Sequence, residues 1–89
     1  MAGYWDATIK RFYPQAKFIK EDWGNKTVEF DISSEKFFFD FTPDSYKDLK
    51  EAFGTVDLTL VVEGDFRYYD ERRVYCTAKF LFQNVKFPG

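Results

Sequence analysis

From Val74 to Phe82 every second residue is apolar: Val74, Cys76, Ala78, Phe80 and Phe82, with Tyr75, Thr77, Lys79 and Leu81 between them. Successive side chains of a strand point to opposite faces, so a period of two dictates an extended segment with one face in a core. The same period recurs in Val28, Phe30 and Ile32, in Phe37, Phe39 and Phe41, and in Val56, Leu58, Leu60 and Val62. A chain that repeats it this often is expected to build an antiparallel sheet with one buried side. Aromatic residues make up 22% of the 89 residues, which excludes a disordered chain, because ordering entropy is offset by buried apolar surface. The length sets one domain, 1–89.

Between these runs the punctuation is local. Residues 16–22 read as a first strand, Trp23-Gly24-Asn25-Lys26 as a turn, and 27–33 as a second strand. Ser34-Glu35 sits where a tight hairpin turn belongs, before a third strand over 36–42. Thr42 as N-cap, Pro43 in the first turn and Asp44 at the positive end of the dipole predict a helix with the stripe Tyr46, Leu49, Phe53, stopped by Gly54. A fourth strand over 56–69 carries Gly64, the mark of a bulge or sharp bend. Asp70-Glu71-Arg72-Arg73 forms a hairpin tip before the last strand, 74–83, and a parity switch at Gln83-Asn84 suggests a second bulge. Residues 1–13 fit two readings, a helical stripe of Trp5, Ile9 and Phe12 or an alternation of Trp5, Ala7 and Ile9, and Pro14 ends either.

Three strands, one helix and two strands, the order β-β-β-α-β-β, resemble the OB-fold over about residues 16–87. That resemblance implies a mainly β, β-rich α+β domain: a five-stranded antiparallel small barrel with the helix between strands three and four and the N-terminal segment packed on it. It also implies that the first strand pairs with the fourth and closes against the fifth, and that the ligand is single-stranded nucleic acid. The competing architecture is an open antiparallel sheet with helices on one face.

The missing residue types narrow the chemistry. There is no histidine, which removes the commonest general base and metal ligand. Cys76 has no second cysteine to form a disulfide or a thiolate zinc site, and its parity makes it a small core hydrophobe. No two glycines lie close enough for a phosphate-binding loop. Carboxylates alone remain, enough in principle for a magnesium ion. The expectation is a non-enzymatic binding module without cofactor. No apolar run approaches the ~18 residues of a membrane span and no signal peptide opens the chain, so a cytoplasmic, intracellular address without membrane attachment is expected.

Charge is uneven along the chain. Residues 1–20 carry a net +3, residues 21–65 a net −8, and residues 66–89 a net +3. Barrel pairing, as the resemblance implies it, sets Lys17 and Lys20 beside Arg67 and Lys79, with Arg72 and Arg73 at the hairpin tip. Tyr69 and Tyr75 have outward parity among these cations, and Phe38 should face outward from its run. Rings beside cations suit single-stranded DNA or RNA, because bases stack on rings and cations track phosphates. Tyr68 has core parity and fits a cross-strand pair. A second expectation is a protein-binding module, such as a phage-type inhibitor or adaptor, that uses the acidic middle and exposed aromatics. Asp44, Asp48 and Glu51 would then mimic phosphates. Trp23 reads as a contact residue or an end cap. Self-assembly into a homo-oligomer through an uncovered sheet edge is a third expectation.

Overall fold

A computed structural model describes residues 2–38, 44–54 and 56–87. The elements are α1 (Ala2–Lys10), β1 (Lys17–Asp22), β2 (Thr27–Asp31), β3 (Phe37–Phe38), α2 (Tyr46–Phe53), β4 (Asp57–Tyr68) and β5 (Arg73–Gln83). The fold is mainly β: among the described residues there is one antiparallel sheet with two helices on one side.

β5 is the spine of the sheet, and its alternation is obeyed without exception: Val74, Cys76, Ala78, Phe80 and Phe82 are all buried. β4 runs along one of its edges, from Asp57 opposite Gln83 to Tyr68 opposite Val74. The other edge is shared end to end by β2, which pairs from Val28–Phe82 to Asp31–Lys79, and β3, which pairs Phe37 with Val74. β1 adds outside β2. Among the described residues the outermost strands are therefore β1 and β3 on one side and β4 on the other, and neither β1 nor β3 pairs with β4.

The expected barrel is thus not formed, and the sheet stays open. The expected pairing of the first strand with the fourth, and its closure against the fifth, are likewise not seen among the described residues. The helices occupy the side that a barrel would fill with its own far wall. The Trp5 ring stacks on Phe53 at 5.2 Å, and Phe53 lies 4.8 Å from Phe82. Ile9 and Leu49 are completely buried against the same face. Residues 1–13 follow the helical reading over Ala2–Lys10, because Trp5 and Ile9 one turn apart both reach this core. Tyr13, just beyond the helix, is buried edge-on to Phe80 at 5.2 Å.

The expected tight hairpin between the second and third strands is absent too. β2 and β3 lie in line on the same edge of β5 rather than side by side. Ser33 explains the change. Its hydroxyl accepts from the Ala78 N–H at 3.0 Å and donates to the Ala78 carbonyl at 3.2 Å, while the Ile32 N–H donates to the same carbonyl. A side chain thus fills the rung of the ladder that a backbone would have filled, and the chain carries on along β5 instead of folding back.

Helix α2 begins at Tyr46, with Ser45 at the cap in a left-handed conformation and no side-chain cap bond. The cap expected at Thr42-Pro43, together with Phe39 and Phe41, lies outside the described residues, and Asp44 is in a turn. The helix stripe itself is as read: Leu49 and Phe53 are buried, and the half-buried Tyr46 donates its hydroxyl to the Leu58 carbonyl at 2.9 Å. Gly64, at φ +77°, sits in the expected bulge, where the register slips between Glu63 and Phe66. Asn84, at φ +56°, ends β5 where the parity switches. In the turn after β1 the positive φ falls on Lys26 rather than on Gly24 or Asn25, since the Asp22 carboxylate holds Asn25 by two hydrogen bonds.

A candidate nucleic-acid interface on the hairpin

The molecule measures 47 × 23 × 19 Å, and β4 and β5, of 12 and 11 residues, form a long hairpin. Past Gly64 this hairpin outruns the cover of the helices. Tyr68, which has core parity as expected, is 64% exposed there, and Phe66 is 58% exposed.

The opposite side of the hairpin, facing away from the helices, holds rings and cations in alternation. Arg73 lies opposite Phe38 in the register and places its guanidinium 5.5 Å from the Phe38 ring centre. Arg67 lies opposite Tyr75 and reaches that ring at 5.5 Å. Tyr75 meets Tyr69 edge-on at 5.3 Å, and the Lys36 ammonium sits 3.9 Å over Tyr69 while donating to its hydroxyl at 2.8 Å. That contact with the hydroxyl holds the Lys36 ammonium above its ordinary pKa. Phe38 is 39% exposed and Tyr69 47% exposed, so both keep open ring surface.

The tip is built by Asp70. Its carboxylate accepts the backbone N–H groups of Arg72 and Arg73, both at 2.8 Å. The Tyr69 and Asp70 N–H groups donate to the Arg73 carbonyl. These bonds fix the backbone that carries Arg72 and Arg73, and Arg72 is exposed at the turn.

Lys17, Lys20 and Lys79 form a different group. Glu29, only 8% exposed, draws the Lys79 ammonium to 2.8 Å and the Lys20 ammonium to 3.4 Å. Lys17 lies opposite Asp31 in the sheet. The early lysines therefore do reach Lys79, but across acidic residues of β2 and not against Arg67. Lys79 is six residues along β5 from Arg73, roughly 20 Å at the rise of a strand. The expected single patch divides into a hairpin cluster (Phe38, Arg67, Tyr69, Arg72, Arg73, Tyr75) and a mid-sheet cluster that faces the acids of β2 (Lys17, Lys20, Lys79).

Sequence reasoning missed Lys36, whose parity and position in a presumed strand gave no hint that it reaches Tyr69. It also missed a cavity of about 520 Å³ at the foot of the hairpin, lined by the turn after α1, the turn after β2, Asp44 and the start of β5. Its lining combines Tyr13, Glu35, Lys36, Asp44, Arg73 and Tyr75, drawn from segments far apart in the chain.

Cys76 is buried, and burial pushes its thiol pKa up, which makes it less nucleophilic. Among the described residues no three of the Cys, Asp and Glu side chains gather to hold a metal ion, and no helix is long and apolar enough to cross a membrane. Trp23 stacks on Phe87 at 4.9 Å, at the end of the sheet away from the hairpin tip. No protein-family model, curated protein or solved structure matches this chain, so the geometry alone carries its functional reading.

Proposed function

We propose that this chain is a binding module without chemistry of its own, and that the outer face of its hairpin takes single-stranded nucleic acid. The observation that carries this is the interleaving of Phe38, Tyr69 and Tyr75 with Lys36, Arg67 and Arg73 on one exposed surface. A base stacked on a ring contributes about 1–3 kcal/mol and is tolerant of sequence, while Arg67, with Arg72 at the tip, neutralises phosphates. An open sheet serves this as well as a barrel, since the surface needed is one face of two strands. The ligand is held by Arg67 and Arg72 at the phosphates and by Phe38 and Tyr69 at the bases.

The test is fluorescence anisotropy of an end-labelled oligo-dT of about 12 nucleotides, the upper part of the usual site size. Binding should weaken about sevenfold between roughly 50 mM and 200 mM salt, as expected if Arg67 and Arg72 neutralise two phosphates. Absence of binding at the lower salt, or an affinity indifferent to salt, refutes the proposal.

One observation favours a second reading, a protein partner. Val62, Phe66 and Tyr68 expose apolar surface on the other side of the same hairpin. Aromatic residues are enriched where proteins meet. A partner docking there would bury those three, and its binding would change little with salt.

A further inference from the structure

The cavity at the foot of the hairpin is not a phosphate site. Its two cations, Lys36 and Arg73, are matched by two carboxylates, Glu35 and Asp44. Arg73 lies 3.4 Å from the Asp44 carboxylate, and Lys36 is bound to the Tyr69 hydroxyl. A site whose charge is cancelled from within gains little from an anion. It suits a neutral, flat ligand whose edge carries hydrogen-bond donors.

The walls and the acceptor are both held in place. Phe12, Tyr13 and Tyr75 are among its lining residues. Tyr13 is fixed by its edge contact with Phe80 and by donating its hydroxyl to the Asp44 carbonyl. Glu35 accepts the Gln15 backbone N–H at 2.9 Å through one carboxylate oxygen. That bond orients the group and leaves it further acceptor capacity, since an ionised carboxylate offers about four lone-pair sites. The volume, about 520 Å³, falls inside the ~300–1,000 Å³ of small-molecule sites and admits one nucleobase.

We propose that this cavity receives one unstacked base of the bound strand, that the Glu35 carboxylate reads its Watson–Crick edge, and that guanine is preferred. The inference rests on the nucleic-acid reading of the hairpin face, whose Tyr75, Lys36 and Arg73 are shared with the cavity rim. Guanine presents two parallel donors on that edge, its ring N–H and its amino group, which match the two oxygens of a carboxylate. Adenine and cytosine offer an amino group alone. Thymine offers one ring N–H between two carbonyl oxygens, which a carboxylate repels. Exposed edges of this kind are what proteins read on single strands.

The experiment compares a dT oligonucleotide of about 12 residues with the same strand carrying one central dG, on the parent chain and on Glu35→Gln. Glutamine keeps an acceptor for the Gln15 N–H but offers only one oxygen to the base, so the fold is not put at risk. The parent should bind the dG strand at least about fivefold more tightly. In the variant this ratio should fall close to one. Equal affinity for both strands in the parent, or a dG preference that survives in Glu35→Gln, overturns the cavity assignment and leaves the hairpin reading standing. Failure of the parent to bind either strand overturns both.

Discussion

Glu29 shows how a residue can be placed correctly from sequence and still be misjudged in role. Its parity sends it to the side away from the helices, and it lies there, yet two lysines close over it. Its carboxyl is held below the ordinary range, first by the hydrogen bond from Lys79 and then by the one from Lys20, with burial opposing both. The reciprocal contact holds the Lys79 ammonium above its ordinary value. The sign of the stability effect follows. The Glu29 contribution is complete above the normal carboxylate range, where folded and unfolded chains are both ionised, and it is lost as pH falls through the lowered folded-state value. Glu29→Gln should cost about 1 kcal/mol near neutral pH, a drop of about 4–8 °C in Tm by circular dichroism. The gap between parent and variant should close as the solution is acidified. A gap that is constant down the acid limb would show that the carboxylate is not the group that titrates. Lys20 and Lys79 were legible as outward cations, but their partner was not, since cross-strand neighbours are fixed by register rather than by local pattern.

Among the elements, those with strict periodicity were legible and those defined by a single side chain were not. β5, the α2 stripe and the Gly64 bulge follow directly from spacing and glycine chemistry. The break between β2 and β3 does not, because polar Ser33-Ser34-Glu35 looks the same whether the chain turns back or runs on. What decides it is the Ser33 hydroxyl, bonded to both backbone groups of Ala78. Ser33→Ala leaves the Ala78 N–H without its partner in the half-buried sheet and should cost about 1–3 kcal/mol, the desolvation penalty of one such group. Urea unfolding gives the measure: the midpoint should fall with an unchanged slope. A variant as stable as the parent would mean that water or a backbone shift replaces the hydroxyl, and that the in-line arrangement of β2 and β3 has another cause.

Closure is a property of the whole molecule, and it depends on which strand takes the second edge of β5. The order of elements fits a barrel equally well. Here β2 reaches β5 directly and α1 and α2 cover the inner face, so the sheet has no need to roll up. The consequence for function is a separation of charge. The mid-sheet lysines are roughly 20 Å from Arg73 along β5, twice the Debye length of about 10 Å at ordinary salt, so the two groups act independently. If the hairpin face binds the strand, only its own cations should enter the salt dependence. For single strands the slope of log affinity against log salt changes by about 0.7 for each phosphate contact removed. The double variant Arg67→Gln, Arg72→Gln should therefore flatten that slope by about 1.4 and weaken binding at every salt. The matching double variant Lys17→Gln, Lys20→Gln should leave the slope as in the parent, because these two lysines already face Asp31 and Glu29. Both titrations use the same labelled oligo-dT. A flattened slope from the lysine pair, with none from the arginines, would move the binding face to mid-sheet and take the hairpin out of it.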